Sequence, residues 1–407
     1  MTHHPMPARH PLAKRIALIT YVVTSWGFFA ASSAPTPLYS LYRKAWDFSP
    51  AALTLVFGIY ALALLAALLV TGSLSDHLGR RPVMLGSLAL EAVAMLVFAE
   101  ASDLRMLIAA RLLQGLASGA AASVVPAAVL DVGHSRAPLL NSLTPVLGMG
   151  CGALGTSFLV TYAPFPLRLI FILLLLLFLL LAAIVAWLPE TISRRAGALA
   201  SLVPSIRIPR AAHRIMVRVA PANIAAWALG GFYLSLGPSL AAMVTGSHSV
   251  ILGGTVVFTL TAGATLAILL FRTMTPAVTL LLGSGALAVG LAITLLGVHA
   301  ALTGILIAGT FCSGMGLGLV FQSALRSVLP QAEAHERAGL MAAYFVMSYL
   351  AFSIPAMLAG TLVRHLGLET VTDAYAGSLI LLAGITAAAS WQSMRQPANV
   401  KVHSTRR

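Results

Sequence analysis

Glu91 and Arg111 are formal charges set inside long apolar runs of this sequence. Glu91 lies near the middle of residues 83–99, and Arg111 about two turns into residues 104–130. A charge in hydrocarbon costs about 2.5–3.5 kcal/mol on insertion scales, so such residues are usually kept for a function. A carboxyl group held away from water can take up and release a proton, which makes Glu91 the proton-coupling candidate. A guanidinium there can attract an anionic solute, tune a neighbouring carboxyl group, or tie helices together through carbonyls and hydroxyls. All three readings of Arg111 are open on sequence alone, and Glu91 reads equally as a paired structural group.

A second group of charges sits in a short break between two apolar runs: Gly72-Ser-Leu-Ser-Asp76-His-Leu-Gly79-Arg80-Arg81-Pro82. Gly79 suits a turn with positive φ, and Gly72 a close approach of helices. Asp76 can cap a helix, and Arg80 can pair with a carboxylate at the end of another apolar run, Asp131 being the natural partner. An ordinary basic hairpin would explain the arginines but not the aspartate or the two glycines. Uncharged candidates for a solute cavity are Tyr21, Trp26, Asn223, Trp227, Tyr233 and Gln322, polar or aromatic groups within apolar runs that suit an organic molecule. Each is equally consistent with helix packing or an interfacial aromatic belt.

The elements that must hold these residues are membrane helices. Of 407 residues, 59% are hydrophobic and 9% charged, where a soluble domain has about 25% charged. Runs of about 20 apolar residues recur throughout, each long enough to cross a bilayer. They lack the alternation of barrel strands, so an all-α membrane protein is predicted. Six spans fall in 16–42, 48–75, 83–99, 104–130, 137–167 and 169–188. Residues 219–271 and 273–325 are each 53 residues long without a formal charge. Each is read as two spans, with turns near 245–249 and His299. Spans at 338–363 and 374–394 complete a prediction of twelve. Pro35 and Pro37 should distort the end of the first.

With the N-terminus inside, the inner segments hold 19 Lys and Arg and the outer loops five. That bias predicts both termini on the cytoplasmic side of a multi-pass protein, in a bacterial cytoplasmic (inner) membrane. The basic start, residues 1–15, reads as the lead into an uncleaved first span. The net charge of +14 lies in short loops rather than one patch, which argues against nucleic acid as partner. Cys151 and Cys312 lie in apolar runs without metal spacing and read as packing residues. No catalytic constellation, phosphate-binding loop, metal set or cofactor motif is present, so the chain is not read as an enzyme. The expected domains are 1–190, a linker at 191–218 that carries six arginines, and 219–407. An amphipathic helix on anionic lipid suits part of that linker.

The loop at 72–81 resembles the signature of the major facilitator superfamily, G-x-x-x-D-x-x-G-R-[RK], at Gly72, Asp76, Gly79, Arg80 and Arg81. Arg111-Leu-Leu-Gln114-Gly115 and Pro189-Glu190-Thr191 are similar to two further patterns of that family. The equivalent loop of the second half, 271–276, lacks the aspartate and the double arginine. Pro145 to Gly155 is a degraded form of the glycine-rich fifth span of drug antiporters, and close packing by small residues explains it as well.

The resemblance implies two six-helix bundles related by a pseudo-twofold axis, with span four lining a central cavity and the signature network linking the halves. It also implies a secondary transporter working by alternating access, with a small molecule and protons as partners, the bilayer around it, and the monomer as functional unit. Proton-coupled efflux is the expected direction; import of a sugar or organic anion with protons is the alternative. Span one carries no acid, which weakens antiport or moves its proton site to Glu91.

Overall fold

The computed structural model describes residues 11–193, 195–204, 206–247, 249–333 and 336–395. The basic segment 1–10, read above as the lead into the first span, lies outside them. Among the described residues there is no strand. The long helices of the first half are α1 (Pro11–Ser33), α2 (Pro50–Thr71), α3 (Arg80–Glu100), α4 (Leu104–Gly133), α5 (Ala137–Tyr162) and α6 (Leu169–Trp187). Those of the second are α7 (Arg210–Ser235), α8 (Val250–Leu270), α9 (Pro276–His299), α10 (Thr303–Val328), α11 (Arg337–Leu366) and α12 (Leu368–Arg395). Among the described residues, eleven stretches are long and apolar enough to cross a membrane. One of these, Leu104–Tyr162, is 59 residues long and holds both α4 and α5, separated by a short 3-10 turn at His134–Arg136.

Local chemistry explains the ends. Pro35 and Pro37 stop α1, and the chain continues as a 3-10 turn at Thr36–Leu38 and a short helix at Tyr39–Trp46. Asp103 caps α4, its Oδ1 accepting from the Met106 amide at 2.8 Å. The expected turn at 245–249 follows a short helix, Gly237–Thr245, closed by Gly246 with φ of 63°.

The linker differs from expectation. α7 begins at Arg210 rather than 219, and the described residues between 191 and 209 hold only the 3-10 turn Ala200–Leu202. Arg210, Arg214 and Arg218 recur every four residues and stay exposed, while Ala212, Met216 and Val219 are buried. That is the two-faced pattern of a helix, here continuous with the span that follows.

One buried core is built from α1 to α6 and a second from α7 to α12. The halves meet where α2 packs on α11 and α5 on α8, two contacts that the pseudo-twofold axis exchanges. Phe57, Tyr60, Leu64, Tyr349, Phe352 and Ala356 form the apolar seam at the first of these.

Glycines line both kinds of seam. Within a half many of them face backbone: a Cβ at Gly115 would meet the Tyr60 carbonyl, at Gly152 that of Ala30, and at Gly314 that of Leu260. Between halves Gly58 meets the Met357 side chain, Gly150 that of Thr261 and Gly360 that of Thr54, while Gly254 meets both Ser157 Oγ and the Ala153 carbonyl.

Candidate functional site

The charges of the apolar runs come together inside the first bundle. Arg111 is 1% exposed. Its Nε donates to the Tyr39 hydroxyl at 3.0 Å, and a terminal nitrogen donates to the same oxygen. The other terminal nitrogen donates to the Ser32 carbonyl at 3.0 Å and to Gln114 Oε1 at 2.6 Å. The guanidinium carbon lies 5.5, 5.1 and 5.8 Å from the ring centres of Tyr39, Tyr60 and Phe98, within the range of cation–π attraction.

Gln114 extends this network to the acid. Its Nε2 donates to the Ala31 carbonyl at 2.9 Å and to Glu91 Oε1 at 3.3 Å. Glu91 is fully buried, and its Oε2 has no hydrogen-bond partner among the described residues. Tyr60 also belongs to the apolar seam between the halves, so the cluster reaches from α3 to the place where the bundles meet. Neither Tyr39 nor Tyr60 was picked out as a ligand of Arg111 from sequence. Tyr39 could have been, since the helix break at Pro35 and Pro37 turns it back toward the bundle.

The expected cavity residues divide by burial. Arg111 and Gln114 are buried inside the first bundle, where acceptors and rings surround the guanidinium. Tyr21 is 4% exposed and sits near the loop end of α1. Asn223 ties α7 to α11, donating to Ser348 Oγ at 2.9 Å and accepting from the Tyr344 hydroxyl at 2.8 Å. The Tyr233 hydroxyl lies 3.0 Å from Thr310 Oγ1, inside the second bundle. Trp26, Trp227 and Gln322 remain partly exposed. The Trp227 ring centre lies 4.9 Å from that of Tyr349 and 6.2 Å from those of Phe321 and Phe352. Gln322 Oε1 has no hydrogen-bond partner among the described residues. Among the described residues, no group of three or more His, Cys, Asp and Glu could hold a metal ion.

The signature loop folds as a short helix, Leu74–Leu78, then Gly79 with φ of 104°, then α3. Arg80 is the hub. It contacts Asp76 Oδ1 at 2.6 Å, Ser75 Oγ at 2.6 Å and Asp131 Oδ2 at 3.3 Å. Asp131 also accepts from Thr191 Oγ1 at 3.0 Å. Glu190 closes the group: Oε1 accepts from the Arg80 amide at 2.9 Å and Oε2 from the Arg81 amide at 3.0 Å. A carboxylate at these first amides satisfies otherwise orphaned donors and the helix dipole. This role of Glu190 was not anticipated, because its partners lie 110 and 109 residues away in sequence.

In this structure the partners named here lie in the first half and at Thr191, where the linker starts, because α4 and α6 deliver Asp131 and Glu190 to the start of α3. Gly72 was expected at a close helix approach. Instead its backbone is right-handed, and an added Cβ would meet only the Leu68 carbonyl one turn earlier.

Gly79→Ala should therefore destabilise the protein by about 1–3 kcal/mol, since the new Cβ meets both an unfavourable φ and the Glu190 carboxylate. Gly72→Ala, whose φ is ordinary but whose Cβ would press on the Leu68 carbonyl, should cost about 1 kcal/mol, at the low end of overpacking. Melting of the two detergent-solubilised variants, followed by a thiol-independent dye, checks both.

A model of the Major Facilitator Superfamily matches residues 18–354. The multidrug resistance protein MdtL of Klebsiella pneumoniae is 29% identical over 132 residues, 31% of this chain and 34% of that protein. Citrate exporter 1 of Aspergillus niger is 31% identical over 159 residues, 38% of this chain and 30% of that one. The matched stretches thus span about a third of these curated relatives. A crystal structure of the nucleoside transporter NupG superposes with a TM-score of 0.68 at 15% identity, over 92% of this chain and 99% of that one. With the two six-helix bundles, the α2–α11 and α5–α8 seams and the signature loop all present, the chain belongs to the Major Facilitator Superfamily.

Proposed function

We propose that this protein is a secondary transporter that moves a small organic solute across the bacterial cytoplasmic membrane by alternating access, exporting it in exchange for protons. Residues 1–190 and 219–407 act as the two moving bundles, joined by 191–218, with both termini in the cytoplasm. The central solute site opens to one side at a time, and the ion gradient biases its return. A membrane potential supplies about 2.3 kcal/mol per charge per 100 mV.

The observation that carries the coupling is Glu91. It is a fully buried acid with one unpartnered oxygen. Through Gln114 and Arg111 it is connected to Tyr60, at the seam that must change when the bundles rock. Loading or emptying this acid alters the charge beside the guanidinium, and so can bias the seam toward one arrangement.

The aromatic side chains at and beside the seam suit an apolar or aromatic solute better than a sugar or organic anion. Trp227, Phe321, Tyr349 and Phe352 offer ring faces, while the guanidinium that would attract an anion is engaged elsewhere. The likeness to MdtL supports the same reading.

The test is proton flux in proteoliposomes loaded with a pH-sensitive dye, with lipophilic cations, sugars and organic anions added one at a time. Protons moving against a lipophilic cation, with at least about a tenfold loss in Glu91→Gln, is the expected result. Protons moving with a sugar or anion would replace export by import. Undiminished flux in Glu91→Gln would remove this residue from coupling.

A further inference from the structure

The segment after the first bundle has a composition that neither coupling nor the solute site uses. After Glu190 the next acidic residue is Glu333. In between, Arg195, Arg207, Arg210, Arg214 and Arg218 are exposed, and none of their side chains has a hydrogen bond or ion pair among the described residues. Large apolar side chains stand beside them in the open: Leu199 is 84% exposed, Val203 73% and Ile206 54%. In water the arginines are solvated, but the aliphatic side chains between them are exposed at a cost. At the boundary of a bilayer such interleaving serves both.

The backbone holds this segment in a defined place. The Arg195 amide donates to the His77 carbonyl at 2.9 Å, and Ser73 Oγ donates to the Ser201 carbonyl at 3.2 Å. The Arg207 amide donates to the Gly339 carbonyl at 3.2 Å. One end of the segment is thus fastened to the signature loop that follows α2, and the other to the first turn of α11. It forms a strap over the loop end of the α2–α11 seam, level with the ends of the helices. Trp187, 90% exposed at the end of α6, marks the same level with an amphipathic ring of the kind enriched at membrane interfaces.

We propose that residues 195–204 and 206–214 form a docking surface for anionic phospholipid. Arg195, Arg207, Arg210 and Arg214 hold the headgroup phosphates, for which the planar guanidinium fork is suited. Leu199, Val203 and Ile206 enter the acyl boundary. The charge complementarity selects the partner: a segment of arginines with no acid of its own, interrupted by aliphatic side chains, fits a negatively charged lipid leaflet, where basic and apolar signals act together. By fastening both sides of the seam to the membrane surface, the lipid would make seam opening depend on leaflet charge.

The experiment reads docking directly and does not depend on transport. Val203→Cys, in a background with Cys151→Ser and Cys312→Ala, is labelled with an environment-sensitive fluorophore. The protein is reconstituted into phosphatidylcholine, or phosphatidylcholine with phosphatidylglycerol, each with and without brominated lipid. The expected result is a blue shift and quenching that need phosphatidylglycerol and weaken with salt. Both should be lost in Arg195→Gln/Arg207→Gln/Arg210→Gln. Phosphatidylglycerol retained on the detergent-purified protein, measured by native mass spectrometry, should fall by about fivefold for each arginine removed. Quenching that is the same in both lipid mixtures would overturn recognition of the anionic headgroup. A fluorophore that reports water in both would overturn docking altogether.

Discussion

Arg111→Ala should cost about 3–5 kcal/mol of stability and leave little folded protein at growth temperature, the scale expected when one member of a buried ionic network is removed. The substitution takes the donors from the Tyr39 hydroxyl, the Ser32 carbonyl and Gln114 Oε1 at once. It also empties the space under the rings of Tyr39, Tyr60 and Phe98, and an unfilled cavity adds its own penalty. Arg111→Lys keeps the charge but loses the fork. A single ammonium cannot serve Tyr39 and Gln114 with the same geometry, so it should fall between the wild type and Ala. Size-exclusion profiles of fluorescently tagged variants after a temperature ramp measure the series. Equal profiles for wild type and Ala would show that the network contributes nothing to the fold.

The second large effect is at the glycine contacts. Gly152→Ala should destabilise by about 3 kcal/mol or more, at the upper end of overpacking. The new methyl would fall on the Ala30 carbonyl and Ser33 Oγ of α1, and backbone cannot turn aside. Gly58→Ala should cost under about 1.5 kcal/mol, because its methyl would meet the Met357 side chain, which is flexible enough to re-route. The pair of substitutions is chemically identical, so the difference isolates the kind of neighbour. Melting of both variants in one detergent tests it; equal losses would mean that the seams within and between halves are alike. With the expected ordering, the α1–α5 contact inside the first bundle is stiffer than the α2–α11 contact between the halves, the contrast that rigid-body rocking requires.

Much of the architecture was legible because membrane spans need only length and apolarity, and both are local. The break at Pro35 and Pro37, the turn at 245–249 and the pairing of Arg80 with Asp131 followed from residue type and position. Three features were not legible in that way. The start of α7 was hidden because charges at 210–218 look like linker until their four-residue spacing is noticed. Glu190 was visible as part of a pattern, but its use as a cap for α3 depends on α6 ending beside that helix. The surroundings of Arg111 come from four separate helical segments, and no short-range pattern joins Ser32, Tyr39, Tyr60 and Glu91. Local chemistry therefore placed the charges in the right segments, while packing decided what each one touches.

The order of those partners along the chain bears on how the protein is made. Ser32, Tyr39, Tyr60, Glu91 and Phe98 all precede Arg111. When α4 leaves the ribosome, every group that surrounds its guanidinium except Gln114, on α4 itself, has already been synthesised, on α1, the short helix Tyr39–Trp46, α2 and α3. Chains acquire structure from the N-terminus onward during synthesis, so the costly charge arrives last, into a half-built cage, and need not wait in hydrocarbon alone. Moving α4 ahead of α1 by circular permutation would reverse that sequence of events. The permuted chain would have the same contacts to make, but its nascent arginine would have none of those companions at the moment of insertion.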